Sequence, residues 1–426
     1  MHVTTVIIGA GHAGLAMSRQ LTDRSIDHVV LERGEVANSW RTERWDSLRL
    51  LTPTWHLGLP GDDGPADTDP DGFLTVPELV SYLDGYAATV AAPLHTGTTV
   101  TRVGATDTGY EVTTDRGTWT CDTVVLASGS NNVAALPAAA EGVPDDVTSI
   151  TTARYRSPDD VPDGGVLVVG ASASGVQLAD ELARSGRSIT IATGEHVRMP
   201  RTYRGRDAFW WMERVGVLDE RYDEVDDIIR ARHTPSPQLV GSPGHGDIDL
   251  ATLQQRGVRV VGKLGRLRDG RAQFSGGLAN TVRLADLKLN RLLERYDTWA
   301  AEEGPGDLGD PHRPEPTTVD ASPRIEIDLA REGIRTVLWA TGYRPDHSWL
   351  ALPVLDYKGR LQHDGGVVAG APGVYVLGSS LLRRRRSTYI GGAGQDTAEL
   401  ADHLVGHLAG RSTPPRNAAP EPVSPR

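Results

Sequence analysis

The chain has 426 residues, a formal net charge of −12 and 38% hydrophobic residues. That length accommodates two domains with sizeable cores, and the acidic balance excludes a nucleic-acid footprint, which needs a basic face. No stretch approaches the ~20 consecutive apolar residues of a membrane span, and no basic segment followed by an apolar one opens the chain, so a cytoplasmic protein is expected.

From the N-terminus, Val3-Thr4-Thr5-Val6-Ile7-Ile8 reads as a buried strand running into Gly9-Ala10-Gly11-His12-Ala13-Gly14. Such a turn is a diphosphate cradle. Gly9 permits the sharp bend, Gly11 lets the backbone approach a phosphate, and Gly14 lets helix and strand pack. The helix start offers unpaired N–H groups and a positive dipole end. The strand Val29-Val30-Leu31 ends at Glu32, 23 residues after Gly9, near the roughly 20 expected for an acid on ribose hydroxyls; Arg33 follows. The irregular, Trp-rich stretch to Gly72 suits a segment wrapped round a ligand. A helix is expected over residues 77–88, capped by Thr75. Three short alternating runs, 99–103, 110–114 and 118–121, predict a small antiparallel β-meander, and Val124-Val125-Leu126 a buried strand ending at Ala127-Ser128-Gly129.

A linker rich in Pro, Ala and Asp spans residues 136–163. Val166-Leu167-Val168-Val169 then runs into Gly170-Ala171-Ser172-Ala173-Ser174-Gly175, a second turn of the same design with Ser172 in the middle glycine's place. The strand Ile189-Thr190-Ile191-Ala192 leads to Thr193, with Glu195 beyond. The basic segment at Arg198, Arg201 and Arg204 is a candidate phosphate clamp. The cluster Phe209-Trp210-Trp211 reads either as helix packing or as the mouth of a substrate channel lined by Trp210 and Trp211. Asp269-Gly270 predicts a hairpin turn, and apolar spacing at Leu284, Leu287, Leu292 and Leu293 predicts a structural helix over residues 278–303. A third apolar strand ends at Ala340-Thr341-Gly342-Tyr343 and a fourth at Gly378. The run Arg383-Arg384-Arg385-Arg386 reads as a surface anion patch or as a contact to an acidic cofactor or substrate. Gly391-Gly392-Ala393-Gly394 opens a helix to about residue 408, and a Pro-rich tail follows. Cys121, the single cysteine, has no partner thiol for disulfide reduction, and no residues stand at metal-ligand spacing.

Together these pieces resemble the single-component (class B) flavin-dependent monooxygenases, which include flavin-containing monooxygenases and the plant auxin-forming enzymes. The resemblance rests on both turns, Ser39-Trp40-Arg41, residues 45–53, Ala127-Ser128-Gly129 and Ala340-Thr341-Gly342-Tyr343, in the family order. It implies an α/β fold of two dinucleotide-binding (Rossmann-like) domains, the second inserted into the first. The FAD-binding domain would take residues 1–155 and 331–410, the NAD(P)H-binding domain 160–330, and a disordered tail 411–426. The first turn would hold FAD, with Glu32 on the ribose, Trp40, Arg41, Leu51 and Thr52 along the flavin, and Ala127, Gly129 and Gly378 beside it. The second would hold NADPH, with NADH an alternative because Thr193 stands where an arginine is usual and the nearby acid Glu195 would accept from a 2′-hydroxyl and repel a phosphate. Ala340-Thr341-Gly342 would cross back between the domains. The implied activity is oxygenation of a small organic molecule with NAD(P)H and O2 through a C4a-(hydro)peroxyflavin, by a monomer or homodimer. The family's Phe-x-Gly-x-x-x-His fingerprint is missing between Gly142 and Tyr155. Two other readings fit the same cofactor motifs: an NAD(P)H oxidase or flavin reductase, and a flavin-bound redox sensor.

Overall fold

The computed structural model describes residues 1–320 and 322–412. The tail expected over 411–426 lies almost wholly outside them. Apolar β-branched runs make the centre of each of two sheets, because strands covered on both faces need near-continuous apolar sequence.

In the first sheet His2–Ile8 lies between His28–Leu31 and Gly117–Leu126, parallel to both. Val374–Val376 adds a parallel strand on the far side of Gly117–Leu126. The meander Val100–Ala105, Tyr110–Thr114 and Gly117–Leu126 is antiparallel. Its last strand runs on without a break into the parallel core, so the two runs expected at 118–121 and 124–126 are one ten-residue strand. The burial pattern explains the union: alternating side chains lead into four consecutive buried ones as the strand passes from half-covered to fully covered.

The second sheet orders Arg259–Gly262, Ile189–Thr193, Gly165–Val169, Ile334–Trp339 and Thr148–Thr151, all parallel. Thr148–Thr151 and Ile334–Trp339 fall on the FAD side of the divisions drawn at 155 and 331, yet both pair in the second sheet. The chain crosses between the sheets twice. The two crossings meet as a short antiparallel ribbon, Val133–Ala134 against Tyr343–Arg344, which Ala135 N–H extends by donating to the Gly342 carbonyl at 2.9 Å.

The helix Val76–Thr89 carries the expected cap: Thr75 Oγ1 accepts from Glu78 N–H while Glu78 accepts from Thr75 N–H. The helix Leu278–Glu302 forms with the expected ends but turns another face inward. Leu278, Val282, Ala285, Leu289, Leu293 and Tyr296 are buried, three or four residues apart, whereas Leu284 and Leu287 are exposed. No helix among the described residues is long and apolar enough to cross a membrane.

Candidate functional site

Both glycine turns fold as strand, sharp bend and helix. Gly9 and Gly170 each have φ +110, a backbone that side chains rarely adopt. A Cβ on Gly14 would lie 1.9 Å from the Gly9 carbonyl oxygen, and one on Gly175 would lie 1.9 Å from that of Gly170. The third glycine in each turn therefore presses helix against strand. Gly9 N–H donates to the Leu31 carbonyl at 2.8 Å and Gly170 N–H to the Ala192 carbonyl at 3.0 Å, so the two turns share one construction.

The middle glycine of the first turn faces space. A Cβ on Gly11 would meet nothing within 4 Å. The helices His12–Asp23 and Ala173–Arg184 start at Gly11 and Ser172 with no side-chain cap, leaving their first N–H groups and dipole ends available to an anion. Two elongated diphosphates suit these cradles. Glu32 is buried, and its carboxylate accepts from Ala10 N–H at 2.8 Å and Gly34 N–H at 3.0 Å. It is thereby fixed against the first turn with lone pairs to spare. Ala127 packs on the same turn: a Cβ on Gly9 would lie 2.4 Å from its carbonyl oxygen. Gly129 and Gly342 have φ +80 and +83 and open space about them, and Gly378, at φ +73, faces only Ala13. The imidazole of His12, inside the fingerprint, has an enclosed Nε2 without a protein partner. Burial pulls its pKa down to about 4, so it is neutral at pH 7. In the second cradle the Thr193 hydroxyl, at the end of its strand like Glu32, is likewise buried without a partner, and Ser174 is half-buried. These enclosed polar atoms fit a polar guest at each turn.

Several expected contacts go elsewhere. Arg201 is fully buried. Its guanidinium forks onto Asp207, at 2.6 and 2.8 Å, and donates to the Leu51 carbonyl at 2.8 Å. It is an internal clasp and supplies no phosphate clamp. Arg198 pairs with Asp249 and Asp286, and Arg204 with Asp297, so the basic segment is neutralised from within. Trp211 is core, not channel: it stacks on Tyr296 at 5.1 Å and donates Nε1–H to the Tyr203 carbonyl. Trp210 packs edge-on against Trp299, with Arg206 and Arg214 over its ring. Arg33 pairs with Glu43, and Arg41 pairs with Asp84 and donates to the Val36 carbonyl. Trp40 packs on the first core under Arg44. The run at 383–386 is a brace rather than an anion patch. Arg383 and Arg384 pair with Glu399, Arg385 with Glu220, and Arg386 with Asp219.

Leu51 and Thr52 lead into an aromatic nest centred on His56, a residue the sequence did not single out. His56 is buried, with ring centroids of Phe209 at 5.1 Å, Trp55 at 5.5 Å and Tyr389 at 6.0 Å. Neither ring nitrogen has a protein partner, and burial, aided by Arg386, lowers its pKa from 6.5 to about 4. Between those values the unfolded chain binds a proton that the folded chain refuses. Stability present above pH 6.5 is therefore lost as the pH falls toward 4, at about 1.4 kcal/mol for each pH step of one between those limits. His56→Phe should flatten the acid limb of a denaturation-versus-pH curve by ~2–3 kcal/mol; an unchanged slope would contradict this assignment.

Cys121 is buried and unpaired, its thiol pushed up to about 12 by burial, and no cluster of metal-ligating side chains occurs among the described residues. Two dinucleotide cradles joined by a crossed pair of linkers, without a redox thiol pair, define a two-coenzyme oxidoreductase. Residues 6–206 match the family profile described as pyridine nucleotide-disulphide oxidoreductase. The chain is 30% identical to indole-3-pyruvate monooxygenase YUCCA6 of Arabidopsis thaliana, covering 68% of this chain and 73% of that protein. It is 29% identical to an uncharacterized CzcO-like oxidoreductase of Geobacillus kaustophilus, over 95% and 99% of the two chains. A flavin-containing monooxygenase from Stenotrophomonas maltophilia has the same fold, with TM-score 0.67, 19% identity, and coverage of 96% of this chain and 99% of that one. The chain belongs to the flavin-dependent monooxygenase family. It is an oxidoreductase of a family that depends on FAD and NADPH.

Proposed function

We propose that this chain oxygenates a small organic molecule with NADPH and O2, holding FAD on the first turn and the nicotinamide cofactor on the second, in the cytoplasm. The observation that carries this reading is the pair of matched turns whose helices start without a side-chain cap, with open space at Gly11. Indole-3-pyruvate monooxygenase relatives support a small organic substrate.

Bound FAD would accept a hydride from NADPH and activate oxygen. The chain's own share is binding, orientation and exclusion of water. Gly9 and Gly14 shape the bend that presents the uncapped N–H groups of the helix starting at Gly11 to one diphosphate, and Glu32, held by two backbone N–H groups, accepts from a ribose. Ala127, Gly129 and Gly378 leave backbone, not side chain, beside that guest. Gly170, Ser172, Ser174 and Gly175 repeat the cradle for the second coenzyme, with the neutral Thr193 where the first has an acid. A neutral residue there does not repel a 2′-phosphate, as a carboxylate would. Ala340 abuts the second turn, and Thr341 and Gly342 continue from it into the return linker. Leu51 and Thr52 border the aromatic nest at His56, whose apolar walls keep water from the reacting oxygen.

The experiment is to oxidise NADPH under isotopically heavy dioxygen with indole-3-pyruvate and with a panel of amines and thioethers. Label entering a product, with little peroxide, is the expected result. Peroxide formed in equal amount to the NADPH consumed, with every compound tried, would replace the oxygenase with an NADPH oxidase.

A further inference from the structure

The second turn receives a side chain that the first does not. In the first, the Ala10 carbonyl accepts a backbone hydrogen bond from Ala37 N–H at 3.1 Å. In the second, the matching Ala171 carbonyl accepts from Gln238 Nε2 at 2.7 Å. Gln238 comes from far along the chain. Its short strand Pro237–Gln238 lies beside Val197–Arg198, which Asp249 and Asp286 anchor through Arg198. The side chain is 2% exposed. A carbonyl can only accept, so the amide NH2 must face Ala171 and the orientation of the group is fixed. That leaves Oε1 as a buried acceptor, and it has no protein partner. A buried polar atom held against a ligand cradle by its own amide, yet unsatisfied, is a costly arrangement that a guest with a donor would relieve.

We infer that Gln238 is a binding residue for the nicotinamide cofactor, its Oε1 accepting a hydrogen bond from a ribose hydroxyl. The inference rests on the reading that the second turn holds that cofactor. Phosphate oxygens only accept and cannot satisfy Oε1. The base amino group and the carboxamide stand at the two far ends of a dinucleotide, whereas the ribose hydroxyls flank the diphosphate that a glycine turn holds. Because the contact goes to a ribose, it serves NADP(H) and NAD(H) alike and does not read the 2′-phosphate.

The test uses FAD-loaded wild type and Gln238→Met, a near-isosteric side chain without the acceptor. Binding of NADP+ and NAD+ is titrated by calorimetry, and the nicotinamide-free Tm and flavin content are recorded. The variant should bind both about tenfold more weakly, the cost of one unmade buried hydrogen bond, with their ratio unchanged. Analogues lacking the hydroxyls of one or the other ribose supply the cross-check: one of them should bind wild type about tenfold more weakly than NAD+ but lose nothing further on Gln238→Met. Unchanged affinities in a variant of wild-type flavin content would overturn the inference, as would a loss confined to NADP+ or one that no analogue shares. Wild type that takes up neither dinucleotide would instead overturn the assignment of the second turn itself.

Discussion

Gly11→Val should yield folded protein that purifies without yellow colour. The residue sits at φ −80, ψ 179, an extended backbone open to any side chain, and a Cβ there meets no protein atom within 4 Å. The fold therefore loses at most about 1 kcal/mol, the difference between glycine and a poor residue at a helix start. The space the valine fills is the approach a diphosphate needs. Blocking two charge-assisted N–H contacts is expected to weaken FAD binding by two orders of magnitude or more. Flavin content after purification and the Tm of the flavin-free proteins are the readouts. A variant that retains wild-type flavin would show that the open space at Gly11 is not the FAD cradle. Gly14→Val is no substitute for this experiment, because its Cβ would strike the Gly9 carbonyl and damage the fold directly.

Arg201→Leu is the second large effect, and it acts on stability. Removing the guanidinium leaves Asp207 with a buried charge whose bidentate partner is gone, and strips the Leu51 carbonyl of its donor. Breaking a buried pair from one side typically costs about 3–5 kcal/mol. The double change Arg201→Leu with Asp207→Asn should recover much of this, since asparagine can still accept from Phe209 N–H at the start of its helix. Denaturant midpoints of the two variants measure the difference. If the single variant loses under about 1 kcal/mol, Arg201 is free to serve a ligand, and the internal clasp is wrong.

What could be read from the sequence was whatever local chemistry dictates. The two turns, the Thr75 cap and the Asp269-Gly270 hairpin each follow from a backbone requirement met within a few residues, and each formed. The arginines at 198–204 were read as a phosphate clamp, and the tryptophans at 210–211 were left between helix packing and a channel mouth, because their partners arrive from elsewhere. Arg198 finds Asp286 and Trp211 finds Tyr296 only after the helix Leu278–Glu302 packs across them. The same helix shows how a mixed pattern misleads: leucines lie on two faces, and only the regular three-and-four spacing of the buried set marks the true one. The pairing of Thr148–Thr151 and Ile334–Trp339 in the second sheet was not legible locally, since a strand's sheet is chosen by its neighbours and not by its own residues. Gln238 and His56 carried no motif at all. Their significance is an unsatisfied atom, visible only once burial and hydrogen bonds are known.

The claim beneath all of this is that two coenzymes dock on one chain and exchange a hydride. Anaerobic mixing of the FAD-loaded protein with NADPH tests it most directly. Bleaching of the oxidised flavin in step with NADPH consumed, lost in a Ser172→Leu variant that keeps its flavin, is the expected result. Protein that carries no flavin, or a bound flavin that NADPH leaves oxidised, would contradict it.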